Sequence, residues 1–168
     1  LGPNATALEI LDKAHARIED SFQDEPEIRA QLMDTIGWTY AWYGRWEEAE
    51  PLLQSALKAR RSLFGTEHVE VATSLYHLGT LDCDRCYYSA EDRDRAEDYL
   101  QESLSIRRKL LGNEHPDLVE PLVGLGKIRS QASQHSQAGS YFREAFEIAR
   151  NAHGSASLAT LRAQLNLA

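Results

Sequence analysis

An all-α fold of antiparallel helix pairs is predicted by three features of the sequence. A glycine recurs at near-constant intervals, a pattern of small and large residues recurs with it, and the apolar positions between them follow helical spacing. From Gly65 to Gly112 is 47 residues and from Gly112 to Gly154 is 42, and each glycine stands 14 residues before another small residue, Gly79, Gly126 or Ala168. Gly37 falls in the same register, 42 residues before Gly79. The second pattern runs Ala49, Leu53, Ala56, then Ala96, Leu100, Ser103, then Ala138, Phe142, Ala145. Small residues seven apart with a large one between them make a groove and a knob, so two helices can interlock at short range. A repeat of this kind decides the architecture before any single element is considered.

Eight helices are expected, over about 5–20, 27–43, 46–63, 68–85, 93–111, 116–132, 135–152 and 156–168. The first carries Ala7, Leu11 and Ala14, which stand 42 residues before Ala49, Leu53 and Ala56. The second places Met33, Ile36, Gly37 and Tyr40 on one face, and Gly44 turns the chain into the third. The fourth repeats the second with Leu75, Leu78 and Gly79. From Gly79 to Ala96 is 17 residues, against 12 from Gly37 to Ala49 and from Gly126 to Ala138, so five residues are inserted before the fifth helix. Pro116 suits the first turn of the sixth, where its missing N–H costs nothing, and Leu122, Leu125 and Gly126 form its inner face. Gly65, Gly112 and Gly154 follow helix ends, where a left-handed conformation caps free carbonyls. The organisation read from this is one array: a partial repeat 1–25, repeats 26–65, 66–112 (with the insertion) and 113–154, and a partial repeat 155–168. Neither end carries a polar capping helix, so a longer parent array is expected.

Composition removes several classes of function. With 18 Lys+Arg against 26 Asp+Glu the formal charge is −8, which argues against a nucleic-acid footprint and against attraction to anionic lipid. No stretch approaches the roughly 18 apolar residues of a membrane span, and no leader peptide is visible at Leu1. A cytoplasmic protein is the expectation.

These repeats resemble the tetratricopeptide repeat in its 42-residue form, similar to that of kinesin light chains. The residues that carry the resemblance are Gly37-Trp38-Thr39-Tyr40, Gly44-Arg45-Trp46-Glu47-Glu48-Ala49-Glu50, Ala56-Leu57-Lys58-Ala59-Arg60-Arg61 and Gly112-Asn113-Glu114-His115-Pro116-Asp117. The resemblance implies a right-handed superhelical solenoid and a non-catalytic scaffold for a protein or peptide partner. The N-terminal side, Ala5 to Ala14 with Ile18 and then Pro26 to Gly37, also resembles the repeat region that follows some bacterial serine/threonine kinase domains. No phosphate loop, His-Arg-Asp or Asp-Phe-Gly is present, so the resemblance implies a regulatory or localising part of such a kinase. A membrane-spanning parent would place it outside the cytoplasm.

Motifs for chemistry are scarce, and no catalytic residue, metal ligand or cofactor is expected. Glu67-His68 and Glu114-His115 recur just after helix-ending glycines, so they read as helix starts with an acidic residue at the positive dipole end. Cys83-Asp84-Arg85-Cys86 lacks the second ligand pair of a structural zinc site. It reads as two thiols or as a disulfide closing the insertion.

The aromatic cluster is the candidate site. All three tryptophans fall between Trp38 and Trp46. Tyr40 and Trp46 occupy packing positions, whereas Trp38 and Trp42 lie four apart on another face. The resemblance puts that face on the concave wall, with Gln31 and Asp34 on the same stripe. Thr73, Tyr76, Thr80 and Cys83, then Glu120, Val123, Lys127 and Gln131, follow in register. The partner-binding set is therefore Gln31, Asp34, Trp38, Trp42, Tyr76, Thr80 and Lys127. Some tetratricopeptide domains clamp a C-terminal carboxylate with Lys and Asn from successive first helices. Here Asp34, Trp38, Tyr76 and Thr80 hold the matching places, so a basic or apolar peptide is the expected ligand. The insertion from Cys86 to Glu91, with Tyr87 and Tyr88, is a second candidate contact. The charges of the second helices, including Arg60 and Arg107, read as a solvated outer face. Unfinished repeat faces at the two ends make self-association a rival to partner binding.

Overall fold

The computed structural model describes residues 6–18, 22, 24–85 and 89–154. Among them are seven α-helices and no strand: α1 (Ala7–Ile18), α2 (Pro26–Trp42), α3 (Trp46–Phe64), α4 (Val69–Arg85), α5 (Ala90–Leu111), α6 (Val119–Gln131) and α7 (His135–His153). A 3-10 turn over Pro116–Leu118 leads into α6. The eighth expected helix, 156–168, lies outside the described residues. Two compact units divide after Thr66.

In the first unit, α1 opens with a capping box. The Glu9 N–H donates to Thr6 Oγ1 and the Thr6 N–H to Glu9 Oε2, both at 3.2 Å. Pro26 starts α2 at the position where a missing donor is harmless. Helices α2 and α3 then pair through Gly37, whose absent side chain leaves room for Leu52 and Leu53. Tyr40 is buried to 1% exposure, and its hydroxyl donates to Asp12 Oδ1 at 2.7 Å, tying α1 to the pair.

In the second unit, Ala96, Leu100, Leu104, Leu118, Leu122, Leu125 and Ile128 build one core with Ala145, Ile148 and Ala149. Gly126 is the tightest helix contact: a Cβ there would lie 2.3 Å from Cε1 of Phe142. The small-large-small pattern meets the recurrent glycines as expected, because each large residue fills the space that a glycine leaves. Ser103, which stands where the other repeats have Ala56 and Ala145, is fully buried and donates to the Ala72 carbonyl at 2.7 Å.

Four expectations change. Helix α5 begins at Ala90, three residues before the expected start, because Ser89 Oγ accepts the Asp92 N–H at 3.2 Å. Residues 89–91 of the insertion are thus a cap and a first turn, while Cys86, Tyr87 and Tyr88 lie outside the described residues, and with them the disulfide question. Gly65, Gly112 and Gly154 do have positive φ (79°, 89° and 80°), but ψ is −173°, 171° and 164°, so they are extended and not left-handed helical. That region belongs to glycine almost alone. Each glycine N–H still caps a carbonyl, of Arg61, Arg108 and Arg150 respectively. The remaining two changes concern Arg60 and Arg107, which are buried to 4% and 7% exposure and do not join the solvated face.

Candidate interaction surface

The expected site residues fall on three helices. Gln31, Asp34, Trp38 and Trp42 lie on α2 in the first unit; Tyr76 and Thr80 lie on α4 and Lys127 on α6 in the second.

On α2, Gln31 and Thr35 are exposed, Trp38 and Thr39 are half-buried, and Trp42 is 75% exposed. The two indoles meet edge to face, with centroids 6.1 Å apart and planes at 86°. This arrangement suits the ring quadrupoles and leaves ring surface open to solvent. Thr35 and Thr39 turn their hydroxyls back onto the helix, to the carbonyls of Gln31 (2.9 Å) and Thr35 (2.7 Å). Their methyl groups therefore remain for the surface between Gln31 and Trp42. Tyr43, just past the helix, is also exposed.

Asp34 departs from its expected role. It is buried to 4% exposure and pairs with Arg60 Nη1 of α3 at 3.1 Å. A carboxylate held there joins α2 to α3 and is closed to a ligand. Nothing in the helical spacing of α2 reveals this; the signal is that Arg60 and Arg107 share the register of Gly65 and Gly112, 47 residues apart. Sequence reasoning thus missed the two arginines as buried residues.

In the second unit Tyr76 and Thr80 are half-buried and Lys127 is exposed. The Tyr76 hydroxyl reaches Glu120 Oε2 across α4 and α6 at 3.4 Å, and the Arg107 guanidinium lies over the Tyr76 ring at 5.5 Å. Burial first, and the Glu120 charge second, push the Tyr76 phenol up to about 12. Arg107 also donates from Nη1 to the Asp117 carbonyl at 2.5 Å, and burial draws its pKa down. Cys83, on the same register, is buried at 7% exposure.

The two matched histidines are structural. Nδ1 of His68 accepts the Glu70 N–H and Nδ1 of His115 accepts the Asp117 N–H, each at 3.2 Å. Among the described residues no group of His, Cys, Asp and Glu could hold a metal ion, and no helix is long and apolar enough to cross a membrane.

Helix pairs in tandem, with close glycine contacts and an exposed aromatic stripe, define an all-α repeat scaffold for protein–protein interaction. The chain belongs to the tetratricopeptide repeat family, whose model matches residues 39–85 and 85–151. No curated protein matches the chain. Among the solved structures that share the fold are two tetratricopeptide-like repeat proteins. One is BtubC (BKLC) from P. vanneervenii, at 20% identity and a TM-score of 0.78, covering 96% of this chain and 62% of that one. The other is from Podosopora anserina and carries the nearly identical TPR-like repeats of a kinesin light chain, at 21% identity and a TM-score of 0.70, covering 86% of this chain and 66% of that one. The chain thus spans a little under two thirds of the length of both.

Proposed function

We propose that the chain is a non-catalytic scaffold that holds a protein or peptide partner on the exposed stripe of its first helices. Trp38 and Trp42 are the anchors, flanked by Gln31, with Tyr76, Thr80 and Lys127 on the corresponding stripe of the next repeats. The observation that carries this reading is Trp42, 75% exposed and braced edge to face by Trp38. Tryptophan is among the side chains most enriched in binding hot spots, and here two of them adjoin on one helix. Because the helix holds both rings in place, docking orders little that is not already ordered. The repeat boundaries expected from the sequence, 26–65, 66–112 and 113–154, assign one stripe to each repeat. In a longer kinase of the type that the N-terminal side resembles, the same surface would recruit a substrate or a regulator, in the cytoplasm unless the parent spans a membrane.

The test is site-directed photocrosslinking in extract of the source cell. A photoreactive benzoylphenylalanine at position 31, on the stripe of α2, is compared with one at position 101 on α5, where Gln101 is exposed. A partner band from position 31 and none from position 101 supports the reading. The reverse pattern moves the site to the outer helices.

A further inference from the structure

We infer that the Trp38–Trp42 corner reads a cation, the Lys or Arg side chain of a basic peptide segment; the inference rests on the proposed partner surface and names its chemistry. Two indoles with planes at 86° present a ring face and a ring edge at right angles, two walls of an aromatic corner. A cation over an indole face is attracted by the negative face of the ring. The charges around the corner favour a cation as well. The stripe of α2 that contains Glu27, Gln31, Thr35, Trp38, Thr39 and Trp42 has no basic residue. Helix α2 also has no base in its last turn, whereas α3 and α6 each have one and α5 has two. The last carbonyls of α2, of Thr39, Tyr40 and Ala41, are capped by the backbone N–H groups of Tyr43, Gly44 and Arg45, and the turn carries no basic side chain to balance the negative dipole end beside Trp42. The nearest cation in the sequence, Arg45, is already held by Glu48 and Asp12 and stacks on Tyr40. The hydroxyls of Thr35 and Thr39 are turned back onto the backbone and do not compete for the ligand. A carboxylate would meet the dipole end and the net charge of −8 unfavourably.

The experiment titrates the nitrogen-15-labelled chain with three probes and follows the indole Nε1–H signals, assigned with Trp38→Phe and Trp42→Phe. The probes are Nα-acetylarginine amide, its neutral isostere Nα-acetylcitrulline amide, and Nα-acetylnorleucine amide. Saturable shifts of both indoles are expected, with the arginine probe binding about two- to five-fold more tightly than citrulline. Citrulline or norleucine binding as well as arginine would overturn the cation reading and leave an apolar contact surface standing. No response of either indole to any probe would overturn both.

Discussion

Asp34 and Arg60 form an ion pair at 3.1 Å while each is only 4% exposed. The same slot is filled differently one repeat later. Tyr76, 42 residues after Asp34, and Arg107, 47 residues after Arg60, replace the pair with a guanidinium over a phenol ring. In the third repeat the places belong to Ala149, within the apolar core cluster, and to Val123, partly buried and packed against it. One position of the repeat thus runs from ionic to cation–π to apolar.

This gradient predicts how the slot tolerates change. Asp34→Ala strips a buried guanidinium of its carboxylate and should cost about 3–5 kcal/mol, whereas replacing both partners by apolar residues is close to neutral. Urea unfolding should therefore find Asp34→Val/Arg60→Leu more stable than Asp34→Ala. A double variant weaker than the single one would contradict the assignment.

Gly126→Ala should destabilise the second unit by about 1–3 kcal/mol, the range for overpacking a core. The new Cβ would lie 2.3 Å from Cε1 and 2.6 Å from Cδ1 of Phe142, and a rigid ring cannot yield by moving one atom. At Gly37 the nearest atom is Leu53 Cγ at 3.0 Å, so Gly37→Ala should cost less. Thermal melts of the two variants, with Gly126→Ala/Phe142→Leu as the rescue, check the order.

Alkaline pH should loosen both units. Burial first, then the Asp12 hydrogen bond and charge, push the Tyr40 phenol up to about 12, and Tyr76 also stands at about 12. The folded state prefers the protonated phenols, so their contribution is complete below the unfolded value of about 10 and is lost as pH rises from there through about 12. Ultraviolet difference titration should show Tyr40 and Tyr76 ionising above the ordinary phenol value, together with the loss of helical circular dichroism.

Ser89→Ala removes the cap of α5 and should cost about 1 kcal/mol. The local readout is hydrogen exchange of the amides of Asp92 and Arg93, which donate to Ser89 Oγ and the Ser89 carbonyl. Faster exchange confined to this turn is expected.

The helix pairs were legible because the spacing of glycines and small residues is itself the packing code: Gly79 receives Leu100 and Gly126 receives Phe142. The burial of Arg60 and Arg107 was not legible. They stand next to the bases of the last turns of α3 and α5, Arg61 and then Arg108 and Lys109, which fit the helix dipole so well that a solvated role satisfied the local pattern. Their partners, Asp34 and the Tyr76 ring, lie on the preceding helices, where periodicity gives no hint of pairing. The start of α5 was missed for a different reason. Its first turn is nearly all charged and has no apolar period to mark it, so the Ser89 cap alone sets the boundary. At the candidate site, helical spacing places Trp38 and Trp42 on one face of α2, but it does not separate them from Asp34, whose burial is fixed by a residue of α3.

The central claim is that the aromatic stripe of α2 holds the partner. Its most direct test is quantitative capture from extract of the source cell by the chain and by Trp38→Ala/Trp42→Ala, with circular dichroism of both. The account predicts a partner recovered by the unmodified chain and lost by the double variant, at equal helicity. Equal recovery of that partner by both proteins would contradict it.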